Sequence, residues 1–125
     1  MAIEGPSHKS LSGKLRKAKE ALEKGDHHFA DPGKAVGELH DLGIGPTEEI
    51  WPLILKLLEE INEPTEMYAG KHPPERSYEP HIQDSELIAF KWKSSLLGQL
   101  MYIKFAIKND KYFYVSLHRN KKVKE

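Results

Sequence analysis

The sequence predicts an α+β fold in which N-terminal helices pack on one face of a small C-terminal antiparallel β-sheet. Apolar residues recur at helical spacing in the first half of the 125-residue chain and alternate in strand-like runs in the last third. A proline-rich stretch separates the two, and helices followed by strands favour α+β over an alternating α/β sheet. The length fits a single domain with a helical part at residues 8–62, a loop at 63–85, a sheet at 86–120 and a basic tail at 121–125.

The first helix is predicted over the stretch SLSGKLRKAKEALEKG. Leu11, Leu15, Ala18 and Leu22 follow helical spacing and form its apolar stripe. Gly25 stands where a left-handed C-terminal cap belongs, so the helix is expected to end just before it.

A second, short helix is predicted to begin with Asp31 as its N-cap and to end near Gly43. Pro32 occupies the first helical position, where its missing N–H is not needed. Val36 and Leu39 are expected to face the core.

The third helix, within GPTEEIWPLILKLLEEIN, carries the strongest apolar pattern and is expected to form the spine of the core. Pro46 and Thr47 mark its start, and Glu48 and Glu49 lie at the positive end of the helix dipole. Pro52 is tolerated because it falls within about the first turn. The apolar stripe consists of Ile50, Ile54, Leu57, Leu58 and Ile61.

Three strands are predicted after the loop: ELIAFKWK, LMYIKFAIK and KYFYVSLH, the last two joined as a hairpin. Alternation gives each hairpin strand one apolar face, formed by Met101, Ile103, Phe105 and Ile107 on the first and by Phe113, Val115 and Leu117 on the second. The two apolar sets share a face if the numbers of paired residues add up to 220, which predicts a three-residue turn at 109–111.

The same register predicts the composition of the opposite, open face of the hairpin. The predicted pairs are Tyr102 with His118, Lys104 with Ser116, Ala106 with Tyr114, and Lys108 with Tyr112. Directly opposed residues have Cβ atoms about 4.5–5.5 Å apart. A phenol, an imidazole and an ammonium group are therefore expected to converge at one end of the sheet.

The net charge of zero hides a division between the two halves of the chain. Residues 1–66 hold 8 Lys and Arg against 13 Asp and Glu, whereas residues 67–125 hold 11 against 6. The basic half is the place to look for an anionic partner such as nucleic acid, although solvated surface charges can cluster without one.

Several classes of protein do not fit the composition. The absence of cysteine excludes a disulfide framework and a thiolate metal site. No run approaches the roughly 20 apolar residues of a membrane helix, and no secretory pattern opens the chain, so we expect a cytoplasmic protein with no membrane partner. His27 and His28 lack companion ligands, and there is no Walker or GxGxxG loop, so neither a metal nor a cofactor is expected.

The open face carries the groups that metal-independent RNA cleavage needs, which are a base, an acid and a cation. Histidine side chains titrate near neutrality, so His118 can act as base or acid, while Tyr102 can donate a proton. Lys104 can stabilise charge on a phosphate, and Tyr112 and Tyr114 offer surfaces on which unpaired bases stack. A sheet stabilised by cross-strand tyrosine and lysine pairs would show the same composition.

The segments LRKAKEALEKG, ELHDLGI, GQLMYIKFAI and YVSLH, in this order between Leu11 and about Asn120, resemble the MqsR family of bacterial toxins. This resemblance implies a RelE-like toxin fold and an mRNA interferase, either ribosome-independent or ribosome-linked, that a partner antitoxin neutralises. By position, Tyr102 matches the family's catalytic tyrosine, and the family's late catalytic lysine falls on His118. Tyr68 and Lys71 approximate its Tyr-Lys loop pair, with two extra residues between them.

The residues and the resemblance together predict a metal-independent endoribonuclease toxin whose partners are mRNA, a cognate antitoxin and, as a further candidate, the ribosome. The expected catalytic residues are His118, Tyr102, Lys104 and Lys71, and the expected substrate-binding residues are Tyr68, Arg76, Lys91, Lys93, Tyr114 and Arg119, with His72 and His81 as outside candidates. The competing interpretation is a non-catalytic module, of the antitoxin or immunity type or a nucleic-acid adaptor. In that case the same face is buried against a partner, where Tyr and Arg are favoured anchors.

Overall fold

The computed structural model describes residues 7–44, 49–71 and 75–120 and confirms the α+β fold class. The elements are α1 (His8–Lys24), β1 (His27–Phe29), α2 (Pro32–Asp41), α3 (Ile50–Glu59), α4 (Pro64–Met67), a 3₁₀ turn (Pro80–Ile82), β2 (Ile88–Ser94), β3 (Gln99–Lys108) and β4 (Lys111–Arg119). Within these residues, no helix combines the length and the apolar character that crossing a bilayer requires.

The four strands form one sheet in the order β1-β4-β3-β2. The three C-terminal strands β2, β3 and β4 are antiparallel to one another in sequence order, as predicted, but β1 runs parallel to β4. The sheet is therefore mixed, and the prediction of a purely antiparallel sheet is wrong. A three-residue strand is too short to show alternation, which explains why the sequence pattern missed β1.

Two predicted helices have the expected ends. Gly25 ends α1 in the left-handed conformation, with φ of 85°. Asp31 caps α2 by accepting a hydrogen bond from the backbone N–H of Lys34. In α2, Leu39 is buried as predicted, but Val36 is 48% exposed and Ala35 takes its place in the core.

The third helix forms the centre of the core. It begins at Ile50, and the predicted start signal at Pro46 and Thr47 lies outside the described residues. The whole predicted apolar stripe is buried, including Ile61 just after the helix end. This stripe packs with the buried side of α1 against one face of the sheet, which we call the inner face.

The β3–β4 hairpin follows the predicted register at only one end. Paired residue numbers add up to 220 where residues 101–104 of β3 are paired, but to 219 where residues 105–108 are paired. The register changes at a β-bulge that leaves Val115 of β4 without a partner on β3. The predicted pairings of Ile107 with Phe113 and of Phe105 with Val115 are therefore wrong.

The turn of this hairpin has two residues, and the predicted three-residue turn is wrong. Asn109 and Asp110 have φ of 55° and 62°, which places both in the left-handed region. This is the conformation of a type I′ turn, whose twist matches that of the flanking strands. Asn and Asp are the non-glycine residues that adopt it most readily.

The opposite face of the sheet, which we call the outer face, is covered at one end by residues 75–87, which we call the covering segment. Ile82 of the 3₁₀ turn is completely buried there, in a small cluster with Ala30, Leu87 and Ala106. Phe113 and Val115 pack against this cluster. The predicted loop at 63–85 thus contains α4 and the 3₁₀ turn, and it leaves only the other end of the outer face open.

Candidate active site

The open end of the outer face carries a row of three side chains from three adjacent strands. Lys91 of β2 is paired with Tyr102 of β3, which is paired in turn with His118 of β4. The rings of Tyr102 and His118 stack with their centroids 4.9 Å apart and their planes 23° from parallel. The predicted juxtaposition of these two rings is therefore confirmed.

Two further lysines lie beside this row. Lys104 is one pleat along β3, with its Nζ atom 5.9 Å from the centroid of the Tyr102 ring. Its Nζ is also 3.9 Å from a carboxylate oxygen of Glu75, which belongs to the covering segment. Lys93 lies one pleat in the other direction on β2, opposite Leu100, and its side chain is exposed. Three lysines thus lie on the open surface near Tyr102, one of them paired with the carboxylate of Glu75.

The hydrogen bond of His118 determines which of its ring nitrogens can accept a proton. Nδ1 lies 2.8 Å from the carbonyl oxygen of Arg119. A carbonyl oxygen can only accept, so Nδ1 carries the hydrogen in this contact. In the neutral ring, Nε2 is then the free basic nitrogen, and the side chain is oriented as a general base requires.

The phenol of Tyr102 is held in its protonated form. Partial burial raises its pKa above the usual tyrosine value, and the nearby Glu75 carboxylate raises it further. A raised pKa means that Tyr102 keeps its proton at neutral pH and can donate it. The group is therefore suited to the role of acid or hydrogen-bond donor rather than to that of base.

The predicted loop pair Tyr68 and Lys71 is held near the edge of the sheet. The Tyr68 hydroxyl donates to the carbonyl oxygen of Lys71, and its ring contacts Phe90 edge-on. Gly70 allows this arrangement, because a Cβ atom there would be 2.6 Å from the Tyr68 hydroxyl oxygen. Burial, followed by the charges of Glu86 and Tyr102, raises the pKa of Tyr68. Its hydroxyl is thus engaged with the loop, while the Lys71 side chain is exposed.

Neither predicted arginine points into the row. Arg76 donates to the carbonyl oxygen of Asp84 within the covering segment. Arg119 is paired with Met101, whose side chain is on the inner face, and donates to the carbonyl oxygen of Asp41 at the end of α2. Arg119 and His118 nevertheless line one surface depression of about 720 Å³ at the end of β4. Arg119 therefore lies beside the row without facing into it.

The predicted stacking role of Tyr112 and Tyr114 is wrong, because the register shift turns both rings onto the inner face. Tyr112 is 0% and Tyr114 1% exposed. The predicted pairs of Ala106 with Tyr114 and of Lys108 with Tyr112 do not form. Tyr114 is a core residue and cannot contact RNA.

Glu38 of α2 supports the open end of β4, and the sequence pattern did not identify it. Its carboxylate accepts hydrogen bonds from the Tyr114 hydroxyl at 2.8 Å, the Ser116 hydroxyl at 2.6 Å and the Leu117 N–H at 2.9 Å. Because β1 ends at Phe29, opposite Tyr114, no described strand pairs with this edge of β4 farther on. Glu38 takes the place of that strand beside the bulge. A single glutamate on a short helix gives no sequence signal for such a contact.

The remaining predicted candidates are elsewhere. His81 lies in the 3₁₀ turn at the other end of the sheet, whereas His72 and the basic tail lie outside the described residues. Among the residues that the structure describes, no three His, Cys, Asp or Glu side chains form a group that could hold a metal ion.

No protein-family model matches the chain, and neither a curated protein nor a solved structure is significantly similar to it. The resemblance to the MqsR toxins therefore stays a prediction.

Proposed function

We propose that the protein is a metal-independent endoribonuclease with a RelE-like toxin fold, acting on mRNA in the cytoplasm as the toxin of a toxin–antitoxin system. The observation that carries this proposal is the row formed by Lys91, Tyr102 and His118. It combines an oriented imidazole, a protonated phenol and a cation on an open surface. These are the three kinds of group that cleavage of a phosphodiester by its own 2′-hydroxyl requires.

In the first step, Nε2 of His118 removes the proton from the 2′-hydroxyl, and the 2′-oxygen attacks phosphorus. The orientation of the ring supports this assignment, because its Nδ1 is occupied by the Arg119 carbonyl oxygen. The bond between phosphorus and the 5′-oxygen then breaks. The products are a 2′,3′-cyclic phosphate and a 5′-hydroxyl.

In the second step, Tyr102 gives its proton to the departing 5′-oxygen. Tyr102 carries this proton at neutral pH, and although its raised pKa makes it a weaker acid, an alkoxide is a much stronger base than a phenolate and takes the proton. After product release, protonated His118 and the Tyr102 phenolate regain their starting states by proton exchange through water. The cycle is then balanced and needs no metal.

The lysines stabilise the extra negative charge that develops on phosphorus. Lys91 is the neighbour of Tyr102 across the strands, and Lys104 is its neighbour along β3. Fixed cations placed at developing charge are usually the largest contribution to this kind of catalysis. Glu75, which pairs with Lys104, is displaced or solvated when a phosphate binds.

A direct test measures cleavage of a mixed RNA by the purified protein in the presence of EDTA. We expect His118→Ala and Tyr102→Phe each to lower the rate by about 10²–10⁴-fold, the range for loss of a general acid or base. The matched controls are His40→Ala and Tyr78→Phe, which change exposed residues that do not belong to the row and should cleave like the parent. A new 2′,3′-cyclic phosphate end identifies the chemistry. Equal rates for His118→Ala and His40→Ala would exclude the mechanism.

A second candidate function is a non-catalytic module that binds a protein on the same face. The observation in its favour is that Leu100 and Leu96, next to the row, are 39% and 48% exposed. Exposed leucines beside tyrosine and lysine are suited to a protein contact as well as to covering by an antitoxin. If RNA stays intact with the parent protein and expression does not slow growth, whereas Leu100→Asp abolishes partner binding, this second function is correct.

A further inference from the structure

A second cavity lies at the other end of the sheet, around the edge strand β1. It is an open groove of about 550 Å³, lined by three histidines, His27, His28 and His81, together with Lys111. This volume is within the range of about 300–1,000 Å³ that small-molecule sites occupy. Phe113 of β4, five residues from His118, lines it as well. Five residues of strand span about 16 Å. The cavity therefore lies about this far from His118 of the row, and we call it the distal pocket.

The walls of the distal pocket are fixed by packing. His27 stacks on Trp51 with centroids 4.2 Å apart, and His28 stacks on Phe113 with centroids 5.3 Å apart. His81 directly precedes Ile82, which is completely buried in the outer-face cluster. Lys108 also donates to the carbonyl oxygen of His81 at 3.4 Å. Because His27 pairs with Tyr112 and His28 with Phe113, the two imidazoles lie on opposite faces of β1, and the distal pocket runs around this edge of the sheet.

The charge of the lining favours an anion. Every polar side chain of this pocket is a histidine or a lysine, and none of the described residues lining it is acidic. Lys111 is a permanent cation, and an imidazole has an N–H donor in either protonation state. A metal ion is disfavoured, because the three imidazoles do not form a group that could coordinate one. Phosphate oxygens accept hydrogen bonds from all four groups.

The rest of the lining favours a flat, aromatic ligand. The partly exposed rings of Phe29 and Phe113 and the imidazoles present ring surfaces, whereas Trp51 is buried beneath His27. Nucleobases bind such surfaces by stacking. A phosphate and a base joined in one molecule match both halves of the lining. We propose that the distal pocket binds a nucleotide, with Lys111, His28 and His81 on its phosphate and with its base against the aromatic rings.

The ligand can be a free mononucleotide or one nucleotide of an RNA strand, and both share this chemistry. The test therefore titrates two probes, a nucleoside 5′-monophosphate and a single-stranded RNA of about five nucleotides. The protein used is the His118→Ala variant, so that any cleavage activity of the row does not destroy the RNA. Adenosine alone and inorganic phosphate alone serve as the half-ligand controls, and affinity is measured by calorimetry.

We expect nucleotide binding that is at least tenfold tighter than binding of adenosine or inorganic phosphate. Lys111→Glu and His28→Ala should each weaken it at least tenfold. Lys56→Glu, the same change at an exposed lysine of α3 that does not line the pocket, should leave it unchanged. If the mononucleotide alone saturates the distal pocket, the ligand is a free nucleotide. If only the RNA binds, and Lys111→Glu weakens that binding, the distal pocket is a subsite for one nucleotide of an RNA strand.

Three results would overturn the proposal: no binding of either probe, equal affinity for inorganic phosphate and the nucleotide, or equal affinity of the Lys111→Glu and Lys56→Glu proteins. The outcome is independent of the nuclease proposal. The row could be inactive with a working distal pocket, and RNA cleavage could occur in a protein whose distal pocket binds nothing.

Discussion

The two ends of the β3–β4 hairpin differ by one residue of register, and this difference separates the candidate active site from the core. At the open end, Tyr102 faces His118 on the outer face, where a substrate can reach them. At the turn end, the one-residue shift places Tyr112 and Tyr114 on the inner face instead. One bulge, at Val115, separates the two arrangements. In this hairpin a tyrosine therefore lies on the outer face or in the core according to its side of the bulge.

The bulge interrupts the pairing of β4 with β3, and polar groups of β4 beside it need a hydrogen-bond partner outside the sheet. Glu38 accepts one hydrogen bond from the backbone N–H of Leu117 and two from the side-chain hydroxyls of Tyr114 and Ser116, on both sides of Val115. A buried polar group left without a partner costs about 1–3 kcal/mol. The contact with α2 therefore stabilises the register of the open end, although Glu38 itself takes no part in the proposed chemistry.

The largest expected effect comes from removing this support. Glu38→Ala leaves the Tyr114 and Ser116 hydroxyls and the Leu117 N–H without their acceptor, so we expect a loss of about 3–4 kcal/mol in the free energy of unfolding. Urea denaturation measures it. Glu38→Gln keeps one acceptor oxygen and should lose about half as much. Wild-type stability of the Ala variant would show that the bulge does not depend on α2.

The second prediction compares the two buried tyrosines of the turn end at neutral pH. Tyr114→Phe removes a hydrogen bond to a carboxylate, so we expect a loss of about 1.5–2 kcal/mol. The Tyr112 hydroxyl has no hydrogen-bond partner among the described residues. Tyr112→Phe should therefore leave stability unchanged or raise it by up to about 1 kcal/mol. Equal losses in the two variants would contradict this assignment.

The sequence predicted this hairpin as far as alternation allows. Alternation identifies one face of a strand, and it correctly paired Tyr102 with His118. It cannot reveal an extra residue, because Phe113 and Val115 continue the apolar pattern up to Leu117 across the bulge. The signal that was available is the Asn109-Asp110 pair, which favours a two-residue type I′ turn and hence the shifted register.

The restriction of sequence patterns to local information also explains which other features were predicted correctly and which were missed. The stripe of α3 and the Gly25 cap of α1 were predicted correctly because each depends on local spacing and backbone preference. Strand β1 and the support from Glu38 depend on contacts between residues far apart in sequence, which no local pattern records. Site residues on regular strands were thus predictable in position, whereas their supporting contacts were not.

The third prediction concerns alkaline pH, where the two tyrosines should behave alike. Burial raises the pKa of both Tyr112 and Tyr114, and for Tyr114 the bond to Glu38 and its charge raise it further. An unfolded tyrosine ionises near a pH of about 10, so above that pH the unfolded state binds fewer protons than the folded state. The stabilisation is fully present below this pH and is lost as pH rises, by about 1.4 kcal/mol per pH unit for each tyrosine.

Urea denaturation between pH 9 and 11 tests this prediction. Tyr112→Phe and Tyr114→Phe should each reduce the alkaline fall in the free energy of unfolding by about 1.4 kcal/mol per pH unit, the contribution of one tyrosine. This effect should be the same in both variants despite their different stabilities at neutral pH. Tyr78→Phe is the matched control, because Tyr78 is 94% exposed. An unchanged alkaline slope in the Tyr112→Phe protein would mean that this ring ionises without unfolding.

The smallest expected effect is at the turn that sets the shifted register. Asp110 has φ of 62°, a conformation that costs a non-glycine residue roughly 1 kcal/mol and glycine almost nothing. Asp110 also forms an ion pair with Lys17 at 3.7 Å, but both side chains are exposed and such pairs contribute little. Asp110→Gly should therefore raise the free energy of unfolding by about 0.5–1 kcal/mol. Lys17→Ala is the control that removes the ion pair alone. If Asp110→Gly destabilises the protein by more than Lys17→Ala does, the two-residue turn does not determine the register.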